Sequence, residues 1–338
     1  MSTARIVFSA LLLMFASVST AARDLQIVSS IKPVDLIARA IAPPGTEFTT
    51  LVPPGSSPHT YQMKISQRRA LNEADLILWM GPDLENFLTR TLQGPDFSQR
   101  TLALTPEDSE EETHQAQSSG DAHESHHDDH EAEEHGEHDG HKEHDSHGEH
   151  AENGHHDHHD EEGHHHSGVD PHGWLDPALT ATMAGAIATA MIDAGANPII
   201  VRANLERFLS DLTGLERELQ AYLEPARAID LFIYHGAFKP FAEHYRLKIA
   251  GELTYNPAVR PGARHMAMLQ DRLAQSETAC LLQEPEFSAD WWLAMSQGKA
   301  LTIGRWDPLA ADIPSVPNGY LLFQKAVADA VVSCIPNT

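Results

Sequence analysis

The chain has 338 residues, of which 41% are hydrophobic, and this length is enough for one large or two medium-sized domains. Its formal net charge is −26, from 49 acidic and 23 basic residues. This excess of acidic residues argues against a nucleic-acid-binding protein, because phosphate recognition recruits Lys and Arg.

The first residues have the pattern of an export signal. Residues 1–22 contain the positive Arg5, an apolar run over 6–18, and small residues up to Ala21 and Ala22, near which we expect cleavage. The apolar run is short for a bilayer span, so a membrane anchor is the weaker alternative. No cysteine lies nearby to carry a lipid anchor. We expect a soluble mature chain in an oxidising compartment, most simply a bacterial periplasm.

Short apolar strands and helices alternate in the block that follows. Strands are predicted at 26–28, 48–52 and 76–80, and helices at 33–42 and 66–74. A strand–helix–strand order of this kind predicts a parallel sheet covered by helices.

A segment of very different composition interrupts this block at 107–168. It contains 22 acidic residues, one lysine and 18 of the 23 histidines, so it carries −21 of the net charge. It has almost no large apolar residues, and burial therefore cannot offset the entropy of ordering it. We expect a disordered insert with weak metal contacts, against the alternative of a solvated acidic spacer.

Two strong helix starts follow the insert. Asp176 precedes Pro177, and a helix is expected from there to about Asp193. Asn197 precedes Pro198, and leucines then recur at helical spacing as far as a proline at 225. The segment 197–225 is therefore predicted to be one long, stiff helix.

The last part of the chain alternates again. Its predicted strands are at 230–234, 248–253, 279–283 and 301–303, and its predicted helices at 238–245, 264–276, 289–297 and 320–333. The predicted fold class is therefore α/β, with two lobes that each contain a mostly parallel sheet flanked by helices, joined by one long rigid helix. The N-terminal lobe would span 23–196, the linking helix 197–225 and the C-terminal lobe 226–338.

The two cysteines, Cys280 and Cys334, are expected to form one disulfide, the default in an exported protein. A thiolate metal site is the less favoured alternative, because the two residues are far apart and isolated.

Four possible metal ligands share one structural context. His59 lies in the loop after the 48–52 strand, His235 at the end of the 230–234 strand, His172 just before a helix, and Asp307 after the 301–303 strand. Ligands of open α/β sheets bind beyond the carboxyl ends of strands, so the four side chains can meet between the lobes. Three neutral imidazoles and one carboxylate suit Zn²⁺.

Spacing alone also allows each histidine to be an ordinary surface or core residue. That interpretation is kept for His244 and His265. Trp174 and Trp306 flank two of the candidate ligands and are either walls of the site or ordinary core residues. Glu252 is a weaker suggestion, as a carboxylate that supports a ligand histidine.

The candidate ligands lie in four motifs with the sequences SPHTY, DPHGWLDP, YHGAF and DPL. In this order the motifs resemble those of the metal-specific solute-binding proteins of bacterial ABC importers (the metal-binding cluster A-I family), and most closely the zinc-uptake, ZnuA-like branch. The likeness covers residues 24–335. It implies two α/β lobes linked by a rigid helix, with zinc ligands at His59, His172 and His235, and Asp307 as a fourth ligand.

The resemblance also bears on selectivity and on the insert. Manganese-binding relatives generally have Glu at the position of His235, so the histidine favours zinc. Zinc-uptake members often have an acidic, His-rich loop where this chain has 107–168, and a disulfide like Cys280–Cys334. Some relatives have Glu immediately before the first histidine, whereas this chain has Pro58, so either Asp307 or water completes the site.

These observations predict a non-enzymatic, monomeric, periplasmic zinc-binding protein that delivers Zn²⁺ to an inner-membrane ABC permease with its cytoplasmic ATPase. One alternative is a secreted zinc buffer or chaperone that acts through the insert. A zinc hydrolase is less favoured, because the four ligands leave neither an open metal position nor an obvious general base.

Overall fold

The structure is a computed structural model that describes residues 24–105, 170–254, 257, 260–299 and 301–336. The predicted export signal at 1–22 and the predicted insert at 107–168 lie outside the described residues. Within the described ranges, no helix combines the length and the apolar character needed to cross a membrane.

The first lobe is built on a four-stranded sheet. Its elements are β1 (Gln26–Ser29), α1 (Lys32–Ile41), β2 (Glu47–Thr50), α2 (Ile65–Glu73), β3 (Leu76–Trp79), α3 (Asn86–Leu92) and β4 (Thr101–Ala103). The strand order is β2-β1-β3-β4, and all pairs are parallel. The sequence analysis predicts neither α3 nor β4, because both are too short to show a hydrophobic period.

The second lobe repeats this arrangement. Its elements are β5 (Asp230–Ile233), α6 (Lys239–Tyr245), β6 (Ile249–Glu252), α7 (Ala263–Gln275), β7 (Ala279–Gln283), α8 (Asp290–Met295) and β8 (Thr302–Arg305). The strand order is β6-β5-β7-β8, again with every pair parallel. The same order in both sheets confirms the predicted pair of parallel α/β lobes.

Two capped helices connect the lobes. Helix α4 (Pro177–Asp193) begins where the Asp176 carboxylate accepts a hydrogen bond from a backbone N–H of the first turn. Helix α5 (Pro198–Tyr222) begins at Asn197 in the same way. Its 25 residues give a length of about 38 Å, and the chain then turns into a 3₁₀ segment that contains the proline at 225.

The last helix, α9 (Gly319–Val332), packs against α1 of the first lobe and α5 as well as against β8. The main hydrophobic core is therefore continuous from β1 and α1, through α4, α5 and α9, to β5 and α6. Burying each leucine-sized side chain in such a core stabilises the fold by about 2 kcal/mol. The shared helices fix the lobes against each other. The domain boundaries proposed from sequence stay a prediction.

The predicted disulfide is confirmed. Cys280 in β7 and Cys334, just beyond α9, are bonded, with their Cα atoms 5.8 Å apart, and both residues are buried. The bond fastens the end of the last helix to β7, one of the two central strands of the second sheet, and its cysteines are 54 residues apart along the chain.

Candidate metal centre

Three of the candidate ligands come from separate segments. His59 lies in the loop between β2 and α2, His172 directly before a short 3₁₀ turn that leads into α4, and His235 two residues beyond the end of β5. The strand-end positions lie at the carboxyl edges of parallel sheets, where open α/β folds bind their ligands.

The structure brings these three histidines together. The Nε2 atoms of His59 and His172 are 3.3 Å apart, and one ligand nitrogen from each of His59, His172 and His235 lies within 4.8 Å of the others. Two nitrogens held by one tetrahedral zinc ion at about 2.1 Å are about 3.4 Å apart. The His59–His172 spacing therefore already matches that of a zinc site. His172 and His235 are buried, and His59 is partly exposed.

Carboxylates set the orientation of two of the rings. Nδ1 of His172 is 2.8 Å from an Asp170 oxygen, and Nδ1 of His235 is 3.0 Å from an oxygen of Glu284. An ionised carboxylate only accepts hydrogen bonds, so each Nδ1 carries the proton and donates. The lone pair is then on Nε2, the nitrogen available to a metal ion.

The protonation state of the cluster favours metal binding. Burial, together with the positive charges of His172 and His235, lowers the pKa of His59 to about 3. Burial also lowers the pKa of His172, against the opposing effect of Asp170. Burial disfavours the charged form of His235 as well, but the Glu284 carboxylate outweighs it and raises this pKa. Two of the three rings are thus neutral at pH 7, the form that a metal ion requires.

Asp307, the fourth predicted ligand, does not join the histidine cluster among the described residues. Its two carboxylate oxygens accept hydrogen bonds from the backbone N–H groups of Leu309 (2.8 Å) and Ala311 (2.7 Å). These bonds hold the loop after β8. The role of Asp307 as a ligand therefore stays a prediction.

The acidic residues that accompany His235 are those that the sequence analysis missed. Glu284 follows the end of β7, and Glu286 lies two residues further on. Burial, together with the charges of Glu284 and Asp307, raises the pKa of Glu286 to about 7. The carboxylate of Glu252 pairs with Lys239 at 2.7 Å. The support that it gives to a ligand histidine is therefore limited to its charge, which contributes to the raised pKa of His235.

The two tryptophans have different surroundings. Trp174 is buried, with its ring 5.3 Å from that of His172, and its Nε1–H donates to the carbonyl oxygen of Pro308 at 2.9 Å. It therefore walls the site and ties the His172 turn to the Asp307 loop. Trp306 is also buried but packs against Phe238, with ring centroids 5.1 Å apart.

His244 lies outside the cluster and bridges three helices. From α6, its Nδ1 is 3.0 Å from Asp176 at the start of α4, and its Nε2 is 3.0 Å from Glu216 on α5. Its hydrogen bond to Asp176 raises its pKa, against burial, and Glu216 contributes to the rise. A protonated ring donates to both carboxylates, whereas a neutral ring can donate to only one.

Replacing His244 with Gln is expected to reduce the free energy of unfolding by about 1 kcal/mol at pH 6. We expect no larger effect, because Glu216 is exposed and water screens its charge. Because the folded state raises this pKa above 6.5, the contribution is complete below pH 6.5 and lost as pH rises through the raised value. Urea unfolding at pH 6 and pH 9 measures both effects. If the difference in free energy of unfolding between wild type and variant is as large at pH 9 as at pH 6, His244 does not form the proposed bridge between Asp176 and Glu216.

Comparisons with known proteins agree with this geometry. The family model described as "Zinc-uptake complex component A periplasmic" (ZnuA) matches residues 27–334. Curated proteins named "High-affinity zinc uptake system protein ZnuA" are similar to the chain. The one from Haemophilus influenzae is 34% identical over 315 residues, which cover 92% of this chain and 93% of the relative. The one from Paracoccus denitrificans is 36% identical over 287 residues, which cover 84% of each.

Solved structures show the same fold. A crystal structure of ZnuA superposes with a TM-score of 0.63 at 22% identity, covering 91% of this chain and all of that one. The periplasmic zinc-binding protein TroA from Treponema pallidum gives 0.64 at 17% identity, covering 92% and 99%. At these identities the structures support the fold alone, two parallel α/β lobes.

Proposed function

The chain belongs to the family of periplasmic zinc-uptake complex component A, and on this premise we propose that it captures Zn²⁺ between its lobes for an ABC importer. The observation that carries the proposal is the convergence of His59, His172 and His235, whose ligand nitrogens lie within 4.8 Å of one another. The chain's relatives are named for high-affinity zinc uptake, and a ZnuA deletion mutant of the same fold has been solved with zinc bound.

The donor set explains why zinc is the proposed cargo. Imidazole nitrogen is a softer ligand than carboxylate oxygen and suits zinc, whereas Mg²⁺ and Mn²⁺ favour carboxylate, carbonyl and water oxygens. Three histidines supply three positions of a tetrahedral site. Asp307 or a water molecule supplies the fourth, and each Asp307 oxygen, which accepts one backbone hydrogen bond, still has a second lone pair to offer.

The partners follow from the same premise. We propose that the protein acts as a monomer in the periplasm and passes its ion to an inner-membrane permease driven by a cytoplasmic ATPase. The site fits a carrier rather than an enzyme, since His172 and His235 are already committed to holding carboxylates through Nδ1 and the ion through Nε2. No group of the cluster is then left to act as a general base.

The insert supports a second, subordinate role. With 18 histidines among 62 mostly polar residues, the segment 107–168 can supply many weak two- or three-ligand sites. We propose that it concentrates zinc near the folded domain. A protein acting as a zinc buffer only through this segment would have no need of the three-histidine cluster.

Calorimetric zinc titration separates these roles. When residues 107–168 are replaced by a short Gly/Ser linker, we expect one tightly bound zinc to remain and the heat of weak binding to disappear. The matched control keeps the insert and carries His59→Ala, His172→Ala and His235→Ala together. It should lose the tight site and keep the weak ones. Loss of all tight binding on deleting the insert would refute the cleft site and favour the zinc buffer.

A further inference from the structure

We propose that Glu284 is a positioning residue that strengthens zinc binding through His235 at the expense of the stability of the zinc-free protein. This inference rests on the proposed function, since it assigns a role to a group behind one of the three ligands. Three observations carry it: strand register, burial and the lack of a second counter-charge.

Strand register places the two side chains together. Strands β5 and β7 are adjacent and parallel, with Ile233 paired to Leu282. His235 and Glu284 are each two residues beyond this pair, so they leave the sheet side by side at its carboxyl edge. The result is the 3.0 Å contact between Nδ1 of His235 and Oε1 of Glu284. This register holds the ring with Nε2 available to the ion.

Glu284 is almost completely removed from water, with 1% of its side chain exposed. Among the described residues, His235 is the one group within ion-pair distance that can carry positive charge opposite it. A buried carboxylate with so little compensation destabilises a folded protein before its favourable contacts are counted.

A bound divalent ion supplies the missing charge. When Nε2 of His235 coordinates the ion, the ring becomes more positive and its Nδ1–H becomes a stronger donor to Glu284. The contact between His235 and Glu284 therefore stabilises the zinc-bound protein more than it stabilises the zinc-free protein. That difference is what raises affinity for the ion.

Asp170 provides a matched comparison. It makes a similar contact with His172, at 2.8 Å, but 38% of its side chain is exposed. Water therefore stabilises its charge whether or not zinc is bound. Asp170 should orient its ring without destabilising the zinc-free protein.

The test compares Glu284→Gln and Asp170→Asn with wild type in the full chain, using zinc competition against a chelator and thermal unfolding after chelation. For Glu284→Gln we expect zinc affinity to fall by 10- to 100-fold, the range for groups behind metal ligands. We also expect the zinc-free Glu284→Gln protein to unfold at a higher temperature than the zinc-free wild type. Asp170→Asn should lose affinity with no gain in zinc-free stability.

Long-range ¹H–¹⁵N NMR of the imidazoles gives a readout that a purely structural role would not move. At a pH where its ring is neutral, His235 should be the Nδ1–H tautomer in the zinc-free wild type and a mixture of tautomers in Glu284→Gln. An affinity loss below tenfold, or a zinc-free unfolding temperature that does not rise, would overturn the proposal. Failure of the proposed function is distinct, because the wild type itself would then lack a tight site.

Discussion

Replacing His235 with alanine is expected to weaken zinc binding by at least about 100-fold, because the loss of a ligand should exceed the loss of a group behind one. This corresponds to about 2.8 kcal/mol. His235 is buried, and its ring lies 5.7 Å from that of His59 and 5.3 Å from that of His172. Alanine leaves two imidazoles, which together with water make an incomplete tetrahedral site.

The measurement is a competitive zinc titration against a chelator of known affinity, carried out on the chain without the insert so that weak sites do not contribute. His265→Ala is the matched control, since this histidine is in the same lobe but bonds through Nε2 to the carbonyl oxygen of Glu252. The control should bind zinc as wild type does. Equal affinities for His235→Ala and wild type would reject the three-histidine site.

Removing the disulfide is expected to have the largest effect on stability. The bond closes a loop between residues 54 apart, which in the chain-entropy model contributes about 4 kcal/mol to the free energy of unfolding. We therefore expect the double variant Cys280→Ser, Cys334→Ser to unfold at much lower denaturant concentration. The zinc cluster itself should form in the folded variant, because neither cysteine contributes to it.

Reductant provides the control for this prediction. Guanidinium unfolding of the wild type with dithiothreitol should give the same loss of stability, whereas the double variant should not respond to the reductant. If reduction lowers the free energy of unfolding of the wild type by less than about 1 kcal/mol, the estimate is contradicted.

Much of this architecture is readable along the chain. Helices α4 and α5 begin at Asp176 and Asn197 because a side chain that accepts from the first turn is a local signal, and a proline follows each cap. The paired cysteines are also visible, because the chain has only two. The three histidines are visible because they lie at predicted strand ends or just before a helix. Short elements such as β4 were not predicted, because three partly exposed residues show no periodic pattern.

The support behind His235 was decided by tertiary structure alone, whereas Asp170, the support of His172, is two residues from it in sequence. Glu284 reaches His235 across 49 residues, and only the order β6-β5-β7-β8 makes their two strands neighbours. Glu252 ends β6, on the other side of β5, and pairs with Lys239 instead. Residue type and local pattern thus determined which side chains could bind a metal ion. The pairing of distant strands determined which carboxylate fixes His235, because register is a property of two segments and cannot be read from either one.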